Sequence, residues 1–177
     1  MTASQFRNID RWFLKLGEIA SLFTIVLVFI ILIDVILRYL FSTSAIWLTE
    51  LEWHIFSIIF LFGTIYTLQY DDHVRVDVWY TSMSVRQQLW VNLLGTIFFL
   101  LPWCIVVINT SFHYALHSWE MNEVSADPGG LGYRYVIKFA ITASFGLLFL
   151  YAFFFAAKCI ARLSNPDIEL FIQKQQD

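Results

Sequence analysis

Three histidines are the residues of this apolar sequence best able to bind a cofactor. His54 lies in the second apolar stretch, and His113 and His117 lie near the end of the third. Two helical histidines at matching depth can bind a haem iron from both sides, so a haem-binding four-helix redox protein is one hypothesis. These histidines lie at the rim, with no small residues beside them to make room for a macrocycle. We therefore favour solvated or hydrogen-bonded histidines and predict no cofactor.

Asp34 and Arg38 form the other pattern with chemical potential. A spacing of four residues places both side chains on one helix face. Ionisable groups inside a membrane cost several kcal/mol, so one interpretation is an ion or substrate site. The other is a self-compensating pair that reaches the interface. We favour the pair, because its depth is shallow and a partner is adjacent.

Short catalytic motifs are missing from the sequence. It contains no G-x-S-x-G, no H-E-x-x-H and no glycine-rich phosphate loop. Cys104 and Cys159 have no C-x-x-C partner, which argues against a disulfide framework or a zinc site. The net charge of −3 and the absence of a basic cluster argue against a nucleic-acid partner. We predict neither an enzyme nor a nucleic-acid-binding protein.

The composition is that of a membrane protein. Apolar residues make up 59% of the 177 residues and charged residues 14%, whereas soluble domains have about 45–50% and about 25%. A soluble domain of this size could not bury so much apolar surface, so lipid is the expected solvent.

Four stretches reach the roughly 20 apolar residues that a spanning helix needs. They cover about 17–39, 47–69, 87–112 and 136–157. The connections are short and polar, so we predict an all-α membrane protein in which residues 1–177 form a single four-helix domain. The first stretch exceeds the roughly 7–15 apolar residues of a signal peptide, and we expect it to be a retained anchor.

Lysine and arginine predict the orientation, because they favour the cytoplasmic side. Four crossings would place eight of these residues on one side: Arg7, Arg11, Lys15, Arg75, Arg86, Lys158, Arg162 and Lys174. The other side would carry three: Arg38, Arg134 and Lys138. We therefore predict that both termini are cytoplasmic.

The N-terminal segment has an amphipathic pattern. At 100° per residue, one arc contains Phe6, Ile9, Trp12, Phe13 and Leu16. The opposite arc contains Arg7, Asp10, Arg11, Lys15 and Glu18. This pattern favours a helix that lies in the cytoplasmic interface before the chain enters the membrane. The alternative is that the segment extends the first span into water.

Local signals predict several boundaries. Ser84 and Gln87 fit a capping box at the start of the third helix, and Pro102 predicts a kink within it. Residues 127–130 (D-P-G-G) predict a turn, and Asn165-Pro166 predicts the start of a short tail helix. Residues 73–78 alternate polar and apolar types, which favours an extended segment, either a solvated loop or a docking surface.

Taken in order, these motifs resemble the small membrane subunit of TRAP (tripartite ATP-independent periplasmic) transporters, the DctQ-type family. The first half contains Arg38-Tyr39, W-L-T-E-L at 47–51, Gly63 and H-V-R-V-D at 73–77. The second half agrees with the longer variant of the family through Glu120, E-V-S at 123–125, D-P-G-G-L at 127–131, Arg134 and Lys138. The resemblance covers almost the whole chain.

The resemblance implies a place in a three-part transporter. Such systems are sodium-driven importers of organic acids in the bacterial inner membrane. A periplasmic binding protein delivers the substrate to a large permease subunit of about 12 spans, which moves as an elevator. The small subunit braces the large one within membrane lipid and has no transport site of its own. A self-sufficient small channel or carrier remains an alternative.

Structural or partner-interface roles follow for ten residues: Arg38, Trp47, Glu50, Gly63, His73, Arg75, Asp77, Glu120, Ser125 and Arg134. We expect Trp47 to anchor the outer interface and Arg38 to pair with Asp34 or Glu50. The resemblance implies that the motif at 73–77 fixes the inner loop. Gly63 and Gly95 would allow close helix approach.

Overall fold

The structure, a computed structural model, describes residues 3–70 and 77–166. Within these residues it contains helices and no strand: α1 (Ala3–Leu40), α2 (Ile46–Gln69), α3 (Asp77–Tyr80), α4 (Val85–Gly95), a π-helical turn (Thr96–Leu100), α5 (Leu101–Glu120) and α6 (Tyr135–Ser164). The all-helical prediction is confirmed.

Four helices are long and apolar enough to cross a membrane, as predicted. They cover Ser4–Leu40, Ile46–Gln69, Val85–Glu120 and Tyr135–Ser164. Three of them extend well past the predicted apolar stretches, because a helix satisfies its own backbone hydrogen bonds and can continue into water. The spans alternate in direction. We call the end where α1 begins and α6 ends the terminal end, and the end where α1 joins α2 and α5 joins α6 the hairpin end.

The N-terminal segment is continuous with the first span, since α1 has no break between Ala3 and Leu40. This matches the alternative in which the segment extends that span. Its apolar arc packs on α6: the ring centroids of Phe6 and Phe154 are 5.4 Å apart, and those of Phe13 and Tyr151 are 5.0 Å apart. Asp10, which the pattern assigned to the polar arc, is buried; that assignment was wrong.

The third span begins as the sequence predicts, and it contains a π-helical turn just before Pro102. Ser84 and Gln87 form the complete capping box. Ahead of Pro102, the N–H of Leu101 donates to the carbonyl of Thr96, five residues back, which closes a π-helical turn. Proline has no N–H and crowds the preceding turn. The wider turn is a local adjustment of the kind found beside prolines in membrane helices.

Helix α6 lies at the centre of the bundle. It contacts α2, α4, α5 and the π-helical turn, whereas α1 packs mainly on α2. The buried cluster runs from Phe6 and Phe13 through Leu93 and Cys104 to Tyr151. The middle of α1 remains uncovered, with Leu22, Val28 and Phe29 about 60% exposed. This face is open to lipid or to another membrane protein.

One glycine supports the packing of α1 on α2, and it is not one that the sequence singled out. A Cβ atom at Gly17 would lie 2.7 Å from Cδ2 and 2.9 Å from Cβ of Tyr66. By contrast, nothing in the described part of the chain lies within 4 Å of a Cβ built at Gly63 or Gly95. The prediction of close helix approach at Gly63 and Gly95 is therefore wrong for contacts within this subunit. It stays a prediction for contacts with a neighbouring protein.

Candidate functional site

Glu50 holds the long hairpin connection against the start of α2. Its buried carboxylate accepts hydrogen bonds from Oγ of Ser125 and from the backbone N–H of Leu131, each at 2.5 Å. Charged acceptors form the stronger hydrogen bonds of proteins. Two candidate residues, Glu50 and Ser125, are thus brought together from positions 75 residues apart in the sequence.

The connection between α5 and α6 is folded to make these contacts. Gly129 has φ +81°, a left-handed conformation that glycine adopts without strain. A Cβ atom at Gly130 would lie 2.4 Å from Oγ of Ser125 and 2.8 Å from Oε2 of Glu50. The N–H of Ser125 donates to the carbonyl of Leu131 at 3.0 Å. The turn predicted at 127–130 is confirmed, and its glycines make room for the Glu50 carboxylate.

A second cluster lies beside this connection, at the start of α6. Lys138 forms an ion pair with Glu123, and its Nζ lies 3.9 Å from the ring centroid of Tyr114. The hydrogen bond from Lys138 holds the pKa of Glu123 below its ordinary value. The guanidinium of Arg134 lies 5.8 Å from the ring centroid of Trp53. Arg134 therefore belongs to a cation-and-aromatic cluster at the hairpin end.

Arg38 pairs with Asp34, one of its two predicted partners, and Glu50 is engaged elsewhere. Asp34 is buried while the arginine side chain is about half exposed. Oδ1 of Asp34 and Oε1 of Glu52 are buried and lack hydrogen-bond partners among residues 3–70 and 77–166. The pair is local and lies near the end of α1, as the compensating interpretation requires.

The terminal end contains a polar cluster that sequence reasoning missed. Asp10 accepts hydrogen bonds from Nζ of Lys158 at 2.8 Å and from the hydroxyl of Tyr151 at 3.2 Å. Nε2 of Gln69 donates to the carbonyl of Asp10 at 3.0 Å. Lys158, one of the eight cations assigned to the predicted cytoplasmic side, is only 1% exposed. Its position within F-F-F-A-A-K-C-I-A was the available signal.

The histidines have the arrangement that we favoured over haem ligation. His113 and His117 are exposed on α5. Nδ1 of His54 lies 2.5 Å from the carbonyl oxygen of Glu50 in its own helix. In the described part of the chain, no group of three or more His, Cys, Asp or Glu side chains could hold a metal ion.

The remaining predicted residues are spread over the molecule. Trp47 lies in the first turn of α2 and Glu120 ends α5, and both side chains are exposed; their roles stay predictions. His73 and Arg75 lie outside the described residues. Asp77 starts the short helix α3, so the predicted extended segment is wrong at its last two residues, where the backbone turns into a helix.

Helical spans with ion pairs near both ends and an exposed apolar surface define an integral membrane protein of the multi-pass type. Residues 27–163 match the family described as tripartite ATP-independent periplasmic transporters, DctQ component. The chain belongs to this family, the small membrane subunit of TRAP transporters, and the resemblance found in its motifs is confirmed. No curated protein matches the chain.

Proposed function

We propose that this subunit conducts nothing itself and braces the large permease subunit of a sodium-coupled TRAP transporter. The substrate would be an organic acid delivered by a periplasmic binding protein. One observation carries the bracing role: the middle of every span is free of Asp, Glu, Lys and Arg, as in residues 19–33, 53–69, 87–119 and 139–157. Transport paths place polar or ionisable groups near the midplane.

A groove between α1 and α2 supports a partner at Gly63. The groove has a volume of about 610 Å³ and is bordered mainly by small side chains: Gly17, Ala20, Ser21, Thr24, Gly63, Thr64 and Thr67. Small residues on facing helices let a third helix approach closely within lipid. The groove adjoins the uncovered face of α1, so a helix of the large subunit could cover both surfaces.

The proposed orientation places both termini in the cytoplasm of a bacterial inner-membrane protein. Arg7, Arg11, Lys15 and Arg86 are exposed at the terminal end. At the hairpin end, Arg38 and Lys138 are neutralised by carboxylates. The excess of solvated cations supports a cytoplasmic terminal end. Labelling of single cysteines at Thr43 and Ser84 by an impermeant reagent in intact cells tests this: only the Thr43 site should react.

Substitution of Gly63 tests the bracing role. Gly63→Leu fills the groove, and we expect at least a severalfold loss of the large subunit during co-purification, with a matching loss of sodium-driven uptake in proteoliposomes. Gly146→Leu is the matched control, because Gly146 is also a helical glycine with open space around a Cβ atom. Equal recovery of complex with both variants would refute the role of the groove.

Transport by the chain alone would argue instead for a self-sufficient carrier. A Soret absorption band from the purified chain would argue for the haem-binding redox protein. We expect uptake only when the chain, the large subunit, the binding protein and a sodium gradient are all present.

A further inference from the structure

A cavity at the hairpin end has the form of a site for an amphiphile. It has a volume of about 380 Å³ and lies among α2, α5 and α6. Its apolar wall consists of Phe56, Phe60, Leu61, Ile137 and Ile141. Phe56 and Phe60 are 59% and 68% exposed, so this wall continues onto the lipid-facing surface.

The polar end of the cavity contains two cationic side chains. Arg134, Lys138 and Glu123 all line it. Lys138 is paired with Glu123, and the charge of Arg134 acts on Glu123 and on nearby Glu50 from beyond ion-pair distance. This arginine has no ion-pair partner in the part of the chain that the structure describes. An anionic group in the cavity could therefore contact the Arg134 guanidinium directly.

The two parts of the cavity are stacked along the axis of α6. Trp53 and Tyr114 line it beside the charged groups, and such aromatic side chains mark the headgroup level of a membrane. Ile141 lies on α6 about 10 Å below Arg134, at 1.5 Å per residue. The site therefore presents cations at headgroup depth and hydrocarbon directly beneath them.

We propose that this cavity binds a phospholipid, with its phosphate on Arg134 and Lys138 and an acyl chain along Phe56, Phe60 and Ile141. The planar guanidinium suits phosphate oxygens, which it can bind through two parallel hydrogen bonds. A helix of a partner protein fits less well. The wall consists of bulky aromatic and branched side chains, whereas most residues that border the groove at Gly63 are small, with Phe60 shared by the two surfaces.

Native mass spectrometry of the full-length chain tests the proposal. The probes are dioleoylphosphatidylglycerol, dioleoylglycerol with the same chains and no phosphate, and inorganic phosphate. We expect phosphatidylglycerol to be retained about tenfold more tightly than dioleoylglycerol, since charge-assisted hydrogen bonds are the strong ones. Inorganic phosphate alone should not be retained, because it gains nothing from the apolar wall. Equal retention of the two lipids would overturn the proposal.

Two substitutions locate the binding. Arg134→Gln should lower retention of phosphatidylglycerol about tenfold, whereas Arg86→Gln, at an exposed arginine of the terminal end, should leave it unchanged.

Ser57→Phe fills the cavity from α2 without touching a charge and should also lower retention. Its control is Thr110→Phe, because Thr110 likewise donates to the carbonyl four residues back but lies outside the cavity.

The Ser57→Phe variant still tests the proposal if Arg134→Gln fails to fold. Retention unchanged in Ser57→Phe would overturn the proposal. A benzophenone amino acid placed at Ser57 provides an independent readout in the isolated complex. Crosslinks to lipid support the site, and crosslinks only to a partner protein would show that a protein fills the cavity instead.

Discussion

The two lysines of α6 are each paired with a carboxylate, yet their surroundings differ. Lys158 at the terminal end binds Asp10, a residue 148 positions earlier in the chain, and is 1% exposed. Lys138 at the hairpin end binds Glu123, only 15 positions earlier. The side chain of Glu123 is 37% exposed. One pair joins remote segments in a sealed environment, and the other is local and open to solvent.

The difference separates two tasks within one helix. The pair at Lys158 holds the start of α1 on α6, together with Tyr151 and Gln69. The pair at Lys138 lines a cavity, so a further charged group can approach it. We therefore expect folding of the subunit to depend more on the Lys158 pair, whereas the Lys138 pair can be reached from the cavity.

The largest expected effect is at the sealed pair. Lys158→Ala leaves Asp10 buried without its cation, which should lower the free energy of unfolding by about 3–5 kcal/mol. Thermal or denaturant unfolding in detergent measures the change. Replacing both partners, as Asp10→Leu with Lys158→Met, should recover much of the loss, because an apolar pair needs no compensation. A loss below about 1 kcal/mol in Lys158→Ala would contradict a sealed pair.

An intermediate effect is expected at the hairpin connection. Glu50→Gln removes the charged acceptor of the hydrogen bonds from Ser125 and from the N–H of Leu131, and it should lower the free energy of unfolding. It should also expose residues 121–134 to limited proteolysis. Glu120→Gln is the control, since Glu120 is exposed at the end of α5. Equal cleavage rates in the two variants would show that Glu50 does not hold the connection.

The smallest effect is expected from acid at Glu123. Its pKa lies below the ordinary value of 4.5 because Lys138 stabilises the charged form. The stabilising contribution is therefore complete above about pH 5 and is lost as the pH falls through the lowered pKa. Between pH 6 and pH 3, the melting temperature of the unsubstituted protein should fall by slightly more than that of the Glu123→Gln variant. Identical pH profiles would place Glu123 outside the pair.

Features that depend on residues close together along the chain could be predicted from the sequence. The spans follow from runs of apolar residues, and the capping box needs only Ser84 and Gln87. The hairpin residues Glu50, Ser125 and Arg134 were named from family-like motifs, although their contacts were not predicted.

Features that join distant segments were not readable. Asp10 and Lys158 each look like solvated charges until α1 and α6 are placed side by side. The same holds for Gly17, whose role depends on Tyr66. A helical pattern indicates which face is apolar, but it does not indicate which helix that face will meet, or that an ion pair will be buried within the contact.

The spacing of Lys138 and Lys158 has a consequence for the bilayer thickness that suits this protein. Residues 139–157 between them contain no charged side chain, and at 1.5 Å per residue the lysines are about 30 Å apart along the helix. This distance equals the usual hydrocarbon thickness. Each lysine is fixed by its carboxylate and cannot easily reposition itself, so a thinner or thicker membrane must be met by tilting α6 or by deforming the lipid around it.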